Sequence, residues 1–358
     1  MWNRSGAPNH PLRRVVGGVI ISLAIITGAA AQPVFDLYPD TVLTALGDTL
    51  YLGGLQAIAY SDRYGYAFLD SDVGGLVLTD LQFRPIQRLG RFGGGPQEYP
   101  SATLLRFWGD TLVVGRRLFR LPAFEYLGQL PVSPLAIAPH ALDLRTDSLF
   151  LRARRSPQSP LQLVRPRERP LNFGRQLYQD RDNSWVFNLR VGVFFTEWDE
   201  LLSVFMLFPQ VERYRLDGTL REVLELDHFR PIAQLARQAL RQTETAHRKG
   251  QPFMIYSLWE DAVYKQGWLY LAPARPWPGL SRDVTVIIVV RVTPEGMRLS
   301  HLLRLHRNEK ALQAELPPDW LQQWFRVGYF EVIAETNKLL AWMNPDDLLY
   351  VYTLPELP

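Results

Sequence analysis

Acids that could do chemistry lie close together at several points: Asp70/Asp72, Asp180/Asp182, Glu197/Asp199/Glu200, Glu260/Asp261 and Asp346/Asp347. Paired carboxylates are what general acid–base catalysis or metal-assisted hydrolysis requires. Most of these acids sit between strand-like runs, where aspartate satisfies turn amides. The six histidines, at 10, 140, 228, 247, 301 and 306, are scattered without zinc-ligand spacing. His301 and His306 read as surface or loop residues. No Gly-x-Ser-x-Gly nucleophile elbow occurs.

The stretch "GRFGGGPQEYP" (90–100) raises a second chemistry, the phosphate loop. A Walker loop ends in Gly-Lys-Ser/Thr and runs into a helix. Here Pro96, Gln97, Glu98, Tyr99 and Pro100 follow the glycines, with no lysine and two prolines. A dinucleotide fingerprint needs a strand before and a helix after, and only the strand is present. Phosphate binding is therefore set aside.

Two further groups invite a ligand. "RARRSPQSPLQLVRPRERP" (152–170) concentrates arginine, and its prolines make it a loop or an irregular edge hairpin. It reads as a solvated rim that could meet an anionic glycan, lipid head group or partner. The tryptophans at 108, 185, 198, 259, 268, 277, 320, 324 and 342 could stack on sugars, but their ordinary work is packing.

Charge adds a constraint once the leading segment is separated. Arg4, Arg13 and Arg14 precede the apolar run 15–31, which closes on Ala29, Ala30 and Ala31. That is the pattern of a secretory signal peptide over residues 1–31, with a retained membrane anchor as the alternative. The chain holds 39 basic and 36 acidic residues; removing three arginines leaves 36 of each. The basic balance is thus no argument for nucleic acid. With no cysteine there is neither a disulfide nor a lipid attachment through one. The expectation is an exported, periplasmic or extracellular monomer making no membrane contact after signal cleavage.

The elements that must position these groups are short strands. An acidic or polar turn followed by an apolar strand recurs six times: 63–70, 109–115, 146–152, 198–205, 266–272 and 336–343. A second strand pair follows most copies, with Asp217-Gly218 and Glu295-Gly296 as tight-turn pairs. Six units of four strands predict an all-β, six-bladed β-propeller occupying residues 32–358 as one domain. One amphipathic helix is inserted at about 231–249, with Ile232, Leu235, Ala236, Ala239, Leu240 and Thr243 on its apolar face. A shorter helical piece is expected at 319–325, capped by Asp319. The last unit supplies three strands, so residues 33–38 are expected to complete it by pairing near 348–354.

The glycine stretch resembles the signature of a family of bacterial exported six-bladed propellers of NHL-like architecture. The resemblance rests on Leu89 to Tyr99, and within it on Gly93, Gly94, Gly95, Pro96, Glu98 and Tyr99. Gln97 stands where the family usually has glycine. The residues read the same way physically: glycines and Pro96 suit a structural crossing between blades, with Glu98 expected to receive loop amides and Tyr99 to pack beneath. Two functions stay open. One is a non-enzymatic binding or scaffold propeller that takes a protein, peptide or glycan at one end. The other is a calcium-assisted hydrolase or lyase using acids at the axis. No other cofactor is expected.

Overall fold

The computed structural model of the protein describes residues 32–356, apart from 44, 48–49, 96–97, 100–103, 131–141, 146–149, 155–158, 166, 179–183, 308–322 and 345. Residues 1–31, read as a signal peptide, Pro96 and residues 319–322 of the expected helical piece lie outside the described residues; residues 323–325 of that piece are not helical.

All six turn-strand copies become the second strand of a four-stranded antiparallel sheet, and the six sheets are the blades of a propeller. Blade one is Leu55–Ser61, Gly65–Asp70, Gly75–Thr79 and Pro85–Leu89. Blade two is Leu105–Trp108, Thr111–Val114, Arg117–Arg120 and Glu125–Gln129. Blade three is Leu142–Leu144, Phe150–Ala153, Leu161–Val164 and Leu171–Phe173. Blade four is Arg190–Phe195, Glu200–Phe205, Gln210–Arg215 and Leu220–Glu225. Blade five is Trp259–Lys265, Trp268–Pro273, Val284–Thr293 and Gly296–His306; blade six opens with Arg326–Ile333, Lys338–Asn344 and Leu348–Thr353.

The second strands are the legible ones for a physical reason. Each is flanked within its sheet and covered on both faces by neighbouring blades, so it reads as a continuous apolar run. Gly65–Asp70 and Glu200–Phe205 are buried throughout, whereas Pro85–Leu89 is exposed at every residue but Leu89. The turns before them need a left-handed backbone: φ is +77° at Gly65, +54° at Gly109, +60° at Asp199 and +52° at Asn337. Glycine, aspartate and asparagine tolerate that region best, which is why these turns read as small or acidic.

Ring closure follows the expected principle but uses a different segment. Thr41–Leu43 pairs antiparallel with Leu348–Thr353, in the register Thr41↔Val351, and supplies the fourth strand of blade six. Val34–Leu37, within the segment assigned to this role, instead lies parallel to Gly296–His306 as a fifth strand on blade five. The reason lies in length. The outer strand of blade five has 11 residues and carries Leu302, Leu303 and Leu305, all buried. It offers a long edge that would otherwise stand open, and an eligible strand covers it. The turn placed at Glu295-Gly296 also moves: Thr293 pairs with Gly296, so Pro294 and Glu295 make the turn.

The inserted helix spans Arg230–Arg248, with Pro231 in its first turn and Gly250 at φ +77° beyond its end. Ile232, Leu235, Ala236, Ala239 and Thr243 are buried, and Leu240 partly so. All but Thr243 join one core with Leu226, Leu258 and Trp277 from the chain on either side.

Candidate functional site

The first strands of the blades surround the axis. Those of blades one and two, one and six, three and four, four and five, and five and six pack directly together. Toward their C-terminal ends they enclose a cavity of about 330 Å³, to which all six contribute. Blade one brings Tyr60, blade two Arg106 and Phe107, blade three Asp143, blade four Phe195 and Glu197, blade five Tyr264 and Lys265, and blade six Glu331. The turns that lead into the second strands lie at this same end. The repeated pattern seen in the sequence therefore marks the rim of the cavity.

The lining groups are arranged as opposite charges between aromatic walls. Arg106 forms an ion pair with Asp143 across the seam of blades two and three. Asp143 also accepts the Leu144 amide at 2.8 Å and, with its other oxygen, the Phe195 amide at 2.7 Å. It thus links three blades. Lys265 Nζ stands 2.9 Å from Glu331 Oε1, a charge contact off the hydrogen-bond direction. The Tyr264 hydroxyl donates to Glu197, and burial, the largest cause, raises its pKa above the usual tyrosine range. Tyr64 stacks with Phe107 at 6.1 Å beside the mouth.

The geometry of Asp143 recurs at Asp261, which accepts Ala262 N at 2.9 Å and Phe330 N of the next blade at 3.2 Å. Burial pushes the Asp261 pKa well up, against the two amide hydrogen bonds. Tyr329 ties blade six to blade one by donating to the Ile58 carbonyl at 3.0 Å. These contacts hold the first strands in a fixed ring, which fixes the cavity.

The acid pairs picked out in the sequence part company in the structure. Asp70 is buried and receives the amides of Gly53, Gly54, Asp72 and Val73 at 2.8–3.2 Å, a turn role. Glu260 and Asp261 lie in a strand, not in a turn. Glu197 alone of the paired acids lines the cavity, while Asp180 and Asp182 lie outside the described residues. Among the described residues, no group of three acids, histidines or cysteines is placed to hold a metal ion.

His301 and His306 are not loop residues. Both lie in the outer strand of blade five, where His301 is 2% exposed beneath Phe35, and His306 Nε2 is 2.8 Å from Asp36. Covering by Val34–Leu37 buries His301 and leaves His306 half-buried, and that pairing has no local signal. Nor is the arginine-rich stretch an edge. Phe150–Ala153 and Leu161–Val164 are the second and third strands of blade three, with Arg152 Nε donating to Gln162 at 2.9 Å.

The glycine stretch forms a closed turn after blade one. Arg91–Phe92 pairs parallel with Glu98–Tyr99. Glu98 takes the Gly95 amide on one oxygen and Arg91 Nε on the other, both at 2.7 Å. The Gly95 amide, then Arg91, hold its pKa below the usual range. Tyr99 is buried and donates to the Leu89 carbonyl at 3.1 Å. A Cβ at Gly93 would overlap the Glu98 carboxylate, and one at Gly95 would stand 3.1 Å from it, whereas Gly94 has open space. Arg117 of blade two donates to the carbonyls of Gly94, Gly95 and Glu98.

Arg106, Asp143, Lys265, Glu331, Tyr60, Phe107, Phe195 and Tyr264 escaped the sequence reading. Their one local signal is position, a few residues before each turn-strand copy. No helix among the described residues is long and apolar enough to cross a membrane.

No family model matches the chain, and no curated protein matches it in sequence. Among solved structures, a DUF4221-family member from Bacteroides vulgatus is similar at TM-score 0.49 and 10% identity, over 88% of this chain and 97% of that one. The Swd1 β-propeller domain of Myceliophteria thermophila gives 0.48 and 10%, over 89% and 100%. Virginiamycin B lyase from Staphylococcus aureus gives 0.43 and 8%, over 88% and 99%. The six-bladed architecture of this protein rests on its own strand pairing.

Proposed function

We propose that this protein is an exported binding propeller, active as a monomer, that seats a peptide segment at the axial mouth. One observation carries the reading: all six blades converge on one cavity whose wall alternates cations, acids and aromatic rings. A peptide presents amide, apolar and charged groups within a few ångströms, and such a wall offers a complement to each. The volume, about 330 Å³, suits a few residues. Export follows from the basic, apolar and small-residue order of residues 1–31. In this reading the turn holding Gly93, Gly94, Gly95, Glu98 and Tyr99 is architectural, because the Glu98 oxygens are both engaged within it.

The acids at the mouth support a recognition surface of paired opposite charges: Asp143 meets Arg106, Glu197 accepts from Tyr264, and Glu331 lies 2.9 Å from Lys265. The test is a peptide library and a glycan array offered to the protein and to its Phe107→Ala and Arg106→Ala variants. Peptides retained by the parent and released by both variants are expected. Glycans retained in place of peptides would replace the ligand class. A calcium-dependent rise in melting temperature, accompanied by ester or lactone cleavage, would overturn the binding reading in favour of a hydrolase.

A further inference from the structure

The inserted helix buries one face on the propeller, and its other face is basic. Arg230, Arg237, Arg241 and Arg248 are exposed and stand 7, 11 and 18 residues from the first. At 100° per residue these four fall within about 40° of one another, in a stripe about 27 Å long. The stripe lies opposite Ala239 and the rest of the buried face. No ion pair engages any of the four among the described residues, and Glu244, the one acid in the helix, is half-buried. The stripe continues into Lys249, exposed just past the helix.

Directly after this basic surface come three apolar side chains on the exterior. Phe253 is 69% exposed, Met254 45% and Tyr256 38%. Tyr256 shares a cleft of about 270 Å³ with Arg241 and Lys249, so the segment carrying the apolar group meets the stripe there. A single exposed apolar side chain needs no explanation, but three within four residues beside a basic stripe mark an interaction surface.

We propose that this face docks the protein onto an anionic phospholipid bilayer. The arginines lie along the headgroup plane, and Phe253 and Met254 enter the boundary between headgroups and acyl chains. Charge complementarity commits the proposal to an anionic surface. The apolar pair commits it to a bilayer over a soluble polyanion, which offers nothing for these groups to enter. Arginine suits phosphate because its planar fork donates two parallel hydrogen bonds. This departs from the expectation of no membrane contact after signal cleavage. It does not rest on the peptide-binding reading, since helix and axial mouth share no residue.

The test exploits the lack of cysteine in the chain. A single Gln242→Cys substitution carries an environment-sensitive dye on the helix, and Gln87→Cys carries it on the exposed outer strand of blade one. Vesicles containing phosphatidylglycerol should shift the helix dye and leave the other unchanged. Phosphatidylcholine vesicles should shift neither, and ~0.5 M salt should reverse the shift. Arg237→Glu with Arg241→Glu should weaken vesicle binding by at least about tenfold. Phe253→Ser with Met254→Ser should weaken it at unchanged charge. The leading segment cannot mimic this result, because the dye reports contact at the helix. The absence of a helix-specific shift overturns the proposal. So does binding that ignores the Phe253/Met254 variant and is matched by heparin, which would assign the stripe to soluble polyanions.

Discussion

Arginine meets glutamate or aspartate in two very different settings in this molecule. In blade four, Arg190 is wholly buried. Its Nε donates to Ser203 at 2.7 Å, and Nη2 donates to the Arg175 carbonyl at 3.0 Å and to Glu212 at 3.1 Å. Its guanidinium lies 3.4 Å over the Phe205 ring, and Tyr214 donates to Glu212 at 2.7 Å. Burial pulls the Arg190 pKa below the usual arginine range, with Glu212 opposing. At the axial mouth, Arg106 keeps 26% of its side chain exposed. The first arrangement is closed, with partners on several sides and no approach from water. The second faces a cavity in which a ligand can exchange with one partner. The same residue types serve cohesion in one place and, in the proposed function, recognition in the other, and burial separates the two.

That contrast can be broken most sharply at Arg190. Arg190→Met leaves Glu212 charged and buried, and should cost about 3–5 kcal/mol in urea unfolding. A loss under about 1 kcal/mol would mean that Arg175, whose Nε lies 3.7 Å from Glu212, or water compensates the lost partner. Asp143 is intermediate, because it both lines the mouth and receives two amides. Asp143→Ala should cost about 1–3 kcal/mol and also abolish ligand retention. Stability and binding that separate in this variant would show that the two roles are independent. Arg106→Ala should cost less than Arg190→Met, because buried Asp143 keeps two amide donors, while removing binding. Lys265→Ala, at 40% exposure, should have the smallest effect on unfolding.

A pH titration adds a third polar group that is buried without charge. Burial lowers the pKa of His301 from 6.5 to about 4. Its neutral form is the one that folding favours. The stability it contributes is full above pH 6.5 and is lost as pH falls from there through about 4. Hydrogen exchange should show Val34–Leu37 and Gly296–His306 losing protection together in that window, and His301→Phe should remove this dependence. An unchanged profile in the variant would assign the acid sensitivity elsewhere. Removal of residues 33–38 should likewise expose blade five while sparing Leu348–Thr353, which Thr41–Leu43 covers.

The sequence by itself determined the six-fold blade pattern, the inserted helix and its buried face. All three rest on local signals. An apolar strand behind a small or acidic turn is legible because the left-handed turn restricts its residues, and burial on both faces restricts the strand. A helix face is legible because its spacing is set by backbone geometry. Only tertiary structure decided that Val34–Leu37 covers blade five while Thr41–Leu43 closes blade six. Both segments are short and apolar enough for either edge, and the choice depends on how long an edge each blade leaves open. Only tertiary structure, too, gathered Arg106, Asp143, Lys265 and Glu331 around one axis. Each comes from a different blade; their place before a turn-strand copy is legible in the chain, but that they meet around one cavity follows only from the ring of six sheets.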